Sequence, residues 1–236
     1  MSSQIRLYLD HALSEGQAVP LGPDEAHYLF SVMRLAPGAV IAVFNGVEGE
    51  WAAEVVDAAR KGGTLVLRGQ VRPQVAPPDL WLLFAPLKKT RTDFVVEKAV
   101  EMGVARILPV LTGFTNAERV NVARLQAHAR EAAEQCGALH LPEVAAPARL
   151  SAVLDLWDDR PLWFCDEQLA GARIRPPAAR QGAVLIGPEG GFSQDERARL
   201  RRLPQAVPVA LGPRILRADT AAVAALTLWQ ITCGDW

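Results

Sequence analysis

Two stretches near the end of the chain share one plan, and that plan restricts the fold more than any other feature. Ala183-Val-Leu-Ile186 is a short apolar run that reads as a buried strand. Gly187-Pro-Glu-Gly-Gly191 follows as a turn, and Ser193-Gln-Asp-Glu196 has the S-x-x-E spacing that opens a helix with a capping box. The second stretch runs Val207–Leu211, then Gly212-Pro-Arg-Ile-Leu-Arg217, with Asp219 as the N-cap candidate of the last helix. Each strand–turn–helix unit brings bare backbone N–H groups to a point a ligand can reach. Side by side, the two turns would form a ligand pocket. Pro188 and Pro213 stiffen them, which lowers the entropy cost of ordering them around a ligand.

The rest of the chain falls into two rhythms. Residues 1–72 read as mainly β, with short runs at Ile5–Leu9, Val40–Phe44, Trp51–Val56 and Thr64–Val71. Turn signals at Pro37-Gly38, Asn45-Gly46 and Gly62-Gly63 separate them, and one helical insert covers Pro23–Arg34. Strands this short, with this many turns, predict a small barrel. Residues 73–79, with Pro73, Pro77 and Pro78, read as a semi-rigid linker. From residue 80 to 236, strands and helices alternate: a strand at Trp81–Pro86, a helix at Arg91–Met102, a strand at Ala105–Leu111, a helix at Asn121–Cys136, a helix at Ser151–Trp157 and a strand at Pro161–Cys165. That alternation predicts an α/β domain with a largely parallel sheet, whose ligands bind beyond the carboxyl ends of the strands. Both glycine turns fall at such ends.

Composition excludes more than it selects. The 236 residues are 50% hydrophobic and 22% charged, ordinary for a core-forming soluble protein. No apolar run reaches membrane-spanning length and the first residues lack a signal-peptide layout, so the cytoplasm and no membrane partner are expected. Cys136, Cys165 and Cys233 form no C-x-x-C pair and no metal spacing with the four histidines, so neither a disulfide nor a metal is expected. Net charge is −1, and any polyanion must be met by local patches of the 25 basic residues. Arg197, Arg199, Arg201 and Arg202 read as a solvated helix face. There is no Walker A loop, no G-x-G-x-x-G, no G-x-S-x-G elbow and no Cys–His signature. Arg217 stands out, because a cation just before a helix start opposes the macrodipole and suggests a functional role.

In order along the chain, these residues resemble the RsmE family of 16S ribosomal RNA uridine-N3 methyltransferases, of the SPOUT class. Leu185-Ile-Gly-Pro-Glu-Gly-Gly191 and Leu211-Gly-Pro-Arg-Ile-Leu-Arg-Ala-Asp-Thr-Ala221 carry the resemblance most strongly. Arg6-Leu-Tyr8, His27–Arg34, Asp93–Val104, Glu131–Gln135 and Pro142-Glu143 extend it nearly end to end. The chain departs from the family's usual residues at Phe114 and Ala138, where Arg is common, at His140, and at Asp219, where Glu is usual.

The resemblance implies a PUA-like β-barrel, then an α/β domain tied in a trefoil knot, with S-adenosylmethionine as cofactor and a homodimer as the working form. By position it implies a cofactor pocket of Phe164, Asp166, Leu185, Gly187, Pro188, Gly190, Gly191, Leu211, Gly212, Ile215, Leu216 and Thr220. The implied partner is 16S ribosomal RNA within the small ribosomal subunit, methylated at N3 of uridine 1498. Uracil N3 is protonated at neutral pH, so the reaction needs a base or a cation beside the developing imidate oxygens. Arg217 is the expected cation, and Glu189 and Asp219 are the candidate bases. Arg6, Arg34, Lys88, Arg91 and Lys98 are the candidate RNA contacts. Two other readings stay open: a knotted methyltransferase for another RNA site, and a non-catalytic RNA-binding or assembly protein.

Overall fold

Period-two alternation builds the β-rich part. The computed structural model describes residues 5–116, 119–166, 168 and 179–236. Its first strands are β1 (Arg6–Tyr8), β2 (Ala18–Leu21), β3 (Val40–Phe44), β4 (Glu50–Ala59) and β5 (Gly62–Arg72). They form one sheet in the order β1-β3-β4-β5-β2, with β1 parallel to β3 and the other pairs antiparallel. Ile41 and Val43, Ala53 and Val55, and Leu65 and Leu67 point to one side and pack with Leu7, Val19 and Leu29 into a core. β2 was not expected, because Pro20 interrupts its pattern. The strand lies at the sheet edge, where a residue without an N–H is tolerated.

The helical insert also differs from a plain helix. After one α turn, α1 (Pro23–Ala26), the chain widens into a π-helical stretch over His27–Val32, and the Met33 N–H donates to the Tyr28 carbonyl at 2.9 Å. It ends at Arg34, a non-glycine residue at φ 57°, in the left-handed region that an L side chain resists.

Residues far along the chain join this β-rich unit. The chain divides into two compact units, one running to Ala76 together with Ala133–Leu141, the other made of Pro77–Ala132 and Pro142–Trp236. Arg6 ties the two segments of the first unit together. Its guanidinium lies 4.4 Å from the centre of the Phe44 ring and donates to Glu50 at 2.7 Å. It also donates to the carbonyls of Ala133, Glu134 and Ala138 at 2.6, 3.0 and 2.8 Å. These are orphan carbonyls at the end of a helix that closes at Gly137, where a cation is favoured by both hydrogen bonding and the dipole. The Tyr8 N–H donates to the Glu134 carboxylate at 2.9 Å beside it. The expectation that Arg6 contacts RNA is therefore corrected: its side chain is internal and its donors are occupied.

The second unit is the expected α/β alternation. Its elements are β6 (Asp79–Phe84), α2 (Lys89–Glu101), β7 (Arg106–Leu111), α3 (Val122–Cys136), β8 (Glu143–Val144), β9 (Ala148–Arg149), α4 (Leu150–Asp155), β10 (Leu162–Cys165), β11 (Gln181–Ile186), α5 (Gln194–Arg202), β12 (Ala206–Val209) and α6 (Ala218–Cys233). The sheet order is β12-β10-β11-β6-β7-β8, every pair parallel, with β9 added on β7. Asn121 caps α3, accepting from the Arg124 N–H at 3.0 Å. The inner strands are buried on both faces, which is why they read as continuous apolar runs. Leu162, Phe164, Ala183 and Leu185 pack with Leu154 and Leu200 in one core cluster. On α6, Trp229 lies against Gly182, where a β-carbon would come within 2.5 Å of the indole nitrogen.

Removing one partner of a buried ion pair strands the other, at a cost of about 3–5 kcal/mol. Arg6→Ala should therefore lower unfolding stability by about 3 kcal/mol or more, read from urea midpoints. Arg72→Ala, whose half-exposed guanidinium is 3.7 Å from the same Glu50, should cost less than about 1 kcal/mol. Equal effects of the two would contradict the structural role of Arg6.

Candidate functional site

Parallel register brings three strand ends to one edge of the sheet. Leu162 pairs with Ala183 and Cys165 with Val209, so β10, β11 and β12 finish together at Cys165, Ile186 and Val209. Beyond them lies a cavity of about 580 Å³, a size that holds small-molecule ligands. Its walls are the end of β10, the turn Gly187–Gly191, the segment Leu211–Arg217 and the start of α6.

Local chemistry fixes the turn. The Gly191 N–H donates to the Pro188 carbonyl at 2.9 Å, and Gly191 has φ 70°, which favours glycine. A β-carbon at Gly187 would stand 3.1 Å from the Phe192 ring, and one at Gly190 would stand 3.2 Å from the Phe114 Cβ. The turn can therefore lie directly against two aromatic side chains. After it, the expected capping box is complete: the Glu196 N–H donates to Ser193 Oγ at 3.2 Å and the Ser193 N–H to Glu196 Oε2 at 2.9 Å. The other Glu196 oxygen accepts from the Gly113 N–H at 2.8 Å, so one carboxylate caps α5 and holds the loop after β7.

Of the expected cofactor residues, Asp166, Gly187, Pro188, Gly190, Gly191, Leu211, Gly212, Ile215 and Leu216 line the cavity. Three do not, and their placement is corrected. Phe164 and Leu185 are strand residues with no exposed surface, and Phe164 supports the turn from below through an edge contact with Phe192 at 6.5 Å. Thr220 is on the first turn of α6, exposed, and outside the cavity lining. The Asp166 side chain is buried and held by Arg197 and by Arg201 at 3.1 Å, so its carboxylate is engaged within the protein. This also corrects the solvated reading of α5: Arg197 is buried on Asp166, and Arg199 pairs with Asp155 at 2.6 Å.

Cys165 and Arg214 line it too, within the stretches 164–166 and 211–216 that the resemblance implied, whereas sequence reasoning missed Ile186, Val209, Ala218 and Ala221. Ile186 and Val209 are the last residues of their strands, and Ala218 and Ala221 share one side of α6 at helical spacing, so position alone could have found them. Burial pushes the Cys165 thiol up to about 12, which leaves it neutral and unreactive in the wall.

The charged residues divide into engaged and free. Arg91 forks onto Asp219, with Nε to Oδ2 at 2.7 Å and Nη2 to Oδ1 at 2.8 Å, and its third donor reaches Glu189. The Arg91 hydrogen bonds, reinforced by the Thr220 N–H, draw Asp219 down to about 2. Two expectations are corrected here. Asp219 is too weak a base and too fully paired to take a proton, and Arg91 is committed to carboxylates and not to phosphate. Nor is Asp219 the N-cap of α6: Arg217 holds that position, without a side-chain cap. Glu189 pairs with Arg91 through one oxygen, and its side chain is 55% exposed. The Arg217 side chain lines the cavity, is exposed, and has no partner among the described residues.

A second hollow, of about 1,020 Å³, shares Pro188 and Glu189 with the first. Lys88 lies on it, as do Lys89, Phe114, Arg119 and Arg124. Lys98 lines neither cavity; it pairs with Glu101 at 2.7 Å and lies 5.6 Å from the Phe94 ring centre. Arg34 is exposed in the first unit and has no partner among the described residues.

Known proteins resemble the chain over its whole length. The family model described as an RNA methyltransferase domain matches residues 75–230, and that of an RNA methyltransferase PUA domain matches 21–68. Ribosomal RNA small subunit methyltransferase E of Mycobacterium bovis is 31% identical, with 97% of this chain and 92% of that protein aligned. The protein of that name from Rickettsia conorii is 28% identical over 94% and 93% of the two chains. Among solved structures, a Legionella pneumophila methyltransferase with S-adenosylmethionine bound has a TM-score of 0.91 at 27% identity, over 99% of both chains. Ribosomal RNA small subunit methyltransferase E from Neisseria gonorrhoeae, bound to S-adenosylmethionine, has a TM-score of 0.84 at 27% identity and the same coverage. A glycine turn closed against two aromatic side chains, a second turn beside it and a PUA-matching β unit ahead of them thus have one explanation in common: the chain belongs to the ribosomal RNA small subunit methyltransferase E family.

Proposed function

We propose that this enzyme transfers the methyl group of S-adenosylmethionine to N3 of uridine 1498 in the 16S RNA of the small ribosomal subunit. The observation that carries the reading is Arg217, unpaired among the described residues, at a cavity whose neighbouring acids, Asp219 and Glu189, are both engaged by Arg91. The cavity suits the cofactor. Ile186, Val209, Leu211, Ile215 and Leu216 give it apolar walls, and the glycine turns offer backbone polar groups for an adenine edge. When bound, S-adenosylmethionine supplies an electrophilic methyl group on a sulfonium.

The residues of this chain do the rest by positioning and electrostatics. N3 lies on the Watson–Crick edge, so the uridine must be unpaired to react. Arg217 stabilises the imidate oxygens that form as N3 loses its proton. Glu189 is the proton acceptor, because its second oxygen has no partner among the described residues, whereas Asp219 is held at about 2. Arg34, Lys88 and Lys98 contact the RNA. The knotted path implied by the family resemblance brings the two glycine turns together.

The reading also includes a homodimer working in the cytoplasm. Ala224, Thr227, Leu228 and Ile231 support self-association, since they form a partly or fully exposed stripe along α6 at helical spacing. No helix among the described residues is long and apolar enough to cross a membrane.

Arg217→Ala should retain S-adenosylmethionine binding by calorimetry and lose about 100-fold in methyl transfer to small subunits. Wild-type turnover in that variant would remove Arg217 from the mechanism. Ile231→Glu should sediment as a monomer; an unchanged sedimentation coefficient would exclude this stripe as the dimer contact. Asp219 gives a signed pH effect. Its folded value lies below the ordinary 3.8, so its contribution to stability is complete above that pH and fades as pH falls through about 2. The stability gap between wild type and Asp219→Asn should therefore shrink between pH 4 and pH 2, and a constant gap across that window would contradict the Arg91 pairing.

A further inference from the structure

The second hollow has a composition that the cofactor site does not explain. Lys88, Lys89 and Arg119 face it, are exposed, and have no partner among the described residues. Arg124 faces it too, tied to Asp93. Its only acidic lining residue among those described is Glu189, already engaged by Arg91. Three unpaired cations around one concavity repel one another, and an anion placed among them relieves that repulsion. In a chain of net charge −1, this is a local concentration of positive charge.

Phe114 adds a second kind of chemistry. The residue is 48% exposed, on the same hollow, and its Cβ backs Gly190 of the cofactor turn. An exposed aromatic among unpaired cations is the combination by which proteins hold single-stranded nucleic acid: bases stack on the ring and phosphates meet the charges. Proximity supplies the third argument. The hollow and the cofactor cavity have Pro188 and Glu189 as a common wall, so a strand lying in one reaches the mouth of the other.

We propose that this hollow seats the unpaired RNA strand next to the methylated nucleotide, with one base stacked on Phe114 and the backbone phosphates met by Lys88, Lys89 and Arg119. The inference rests on the methyltransferase reading above and names the surface through which that reaction meets its substrate. Neither Phe114, Lys89 nor Arg119 was a candidate contact from sequence.

Two variants of the full chain test it. Lys88→Ala/Lys89→Ala/Arg119→Ala removes the charges from exposed positions. Phe114→Leu keeps an apolar side chain against Gly190 and removes the ring. Binding of a labelled oligouridylate is measured by anisotropy at several salt concentrations, S-adenosylmethionine binding by calorimetry, and self-association by sedimentation. The triple variant should lose more than about tenfold in oligouridylate affinity and show a salt slope shallower by about two, since each phosphate neutralised on a single strand contributes about 0.7. Phe114→Leu should lose about fivefold with its salt slope unchanged. Both should bind S-adenosylmethionine and sediment as wild type does.

Wild-type RNA affinity and slope in both variants would overturn the proposal. A change in self-association with RNA binding intact would overturn it as well, in favour of a second copy of the chain on this surface. The two readings fail separately. A wild-type protein that binds oligouridylate through these residues yet does not methylate small subunits refutes the methyltransferase reading and keeps the RNA seat. Methylation that survives both variants unchanged refutes the seat and keeps the reading.

Discussion

Three parallel strands ending at one level are the constraint on which the site depends. β10, β11 and β12 are held in register by their neighbours and, in the inner two, by burial on both faces. Nothing can bind on such faces, so chemistry is confined to the loops beyond the carboxyl ends. The loops are then made rigid by local means: a proline in each, left-handed glycines at 191 and 212, and a capping box that also grips Gly113. A turn built this way has little entropy left to lose when a ligand arrives.

Charge at the site is governed by which cations are already occupied. Arg91 spends its whole fork on Asp219 and its remaining nitrogen on Glu189, and so links α2 to the glycine turn and to the first turn of α6. Asp166 is similarly closed off by Arg197 and Arg201. What remains open at the cavity is Arg217, with Arg214 beside it in the same segment. An enzyme acting on a polyanion with a cationic cofactor gains from that sorting, because paired charges shape the backbone while unpaired ones stay available to substrate.

The fold was legible wherever a signal is local. Apolar runs, glycine turns and the S-x-x-E box located the longer strands and helices to within a few residues, because each depends on neighbours in sequence, whereas the two-residue strands β8 and β9 were not expected. The misses share a physical cause. β2 is visible only to a reader who knows that Pro20 sits on a sheet edge. The π-helical turn at His27–Val32 keeps the composition of an ordinary helix and differs only in which carbonyl Met33 reaches. Residues 133–141 join the first unit, tied to it by Arg6, Tyr8, Arg72 and Gln74, and no pattern in the intervening chain announces it.

The arginines carry that lesson furthest. Arg6, Arg91, Arg197 and Arg217 look alike in sequence, and each stands beside a motif. Arg6 is internal, Arg91 bridges two carboxylates, Arg197 is buried on Asp166, and Arg217 has no partner among the described residues. The carboxylate partner in every engaged case is at least 31 residues away. A guanidinium's role depends on whether the fold delivers a carboxylate or a row of carbonyls to it, and that delivery is a tertiary event. The resemblance pointed to residues that line one cavity because it carries whole motifs in order. It could not separate open arginines from paired ones, since in a motif the two occupy neighbouring letters and only their distant partners differ.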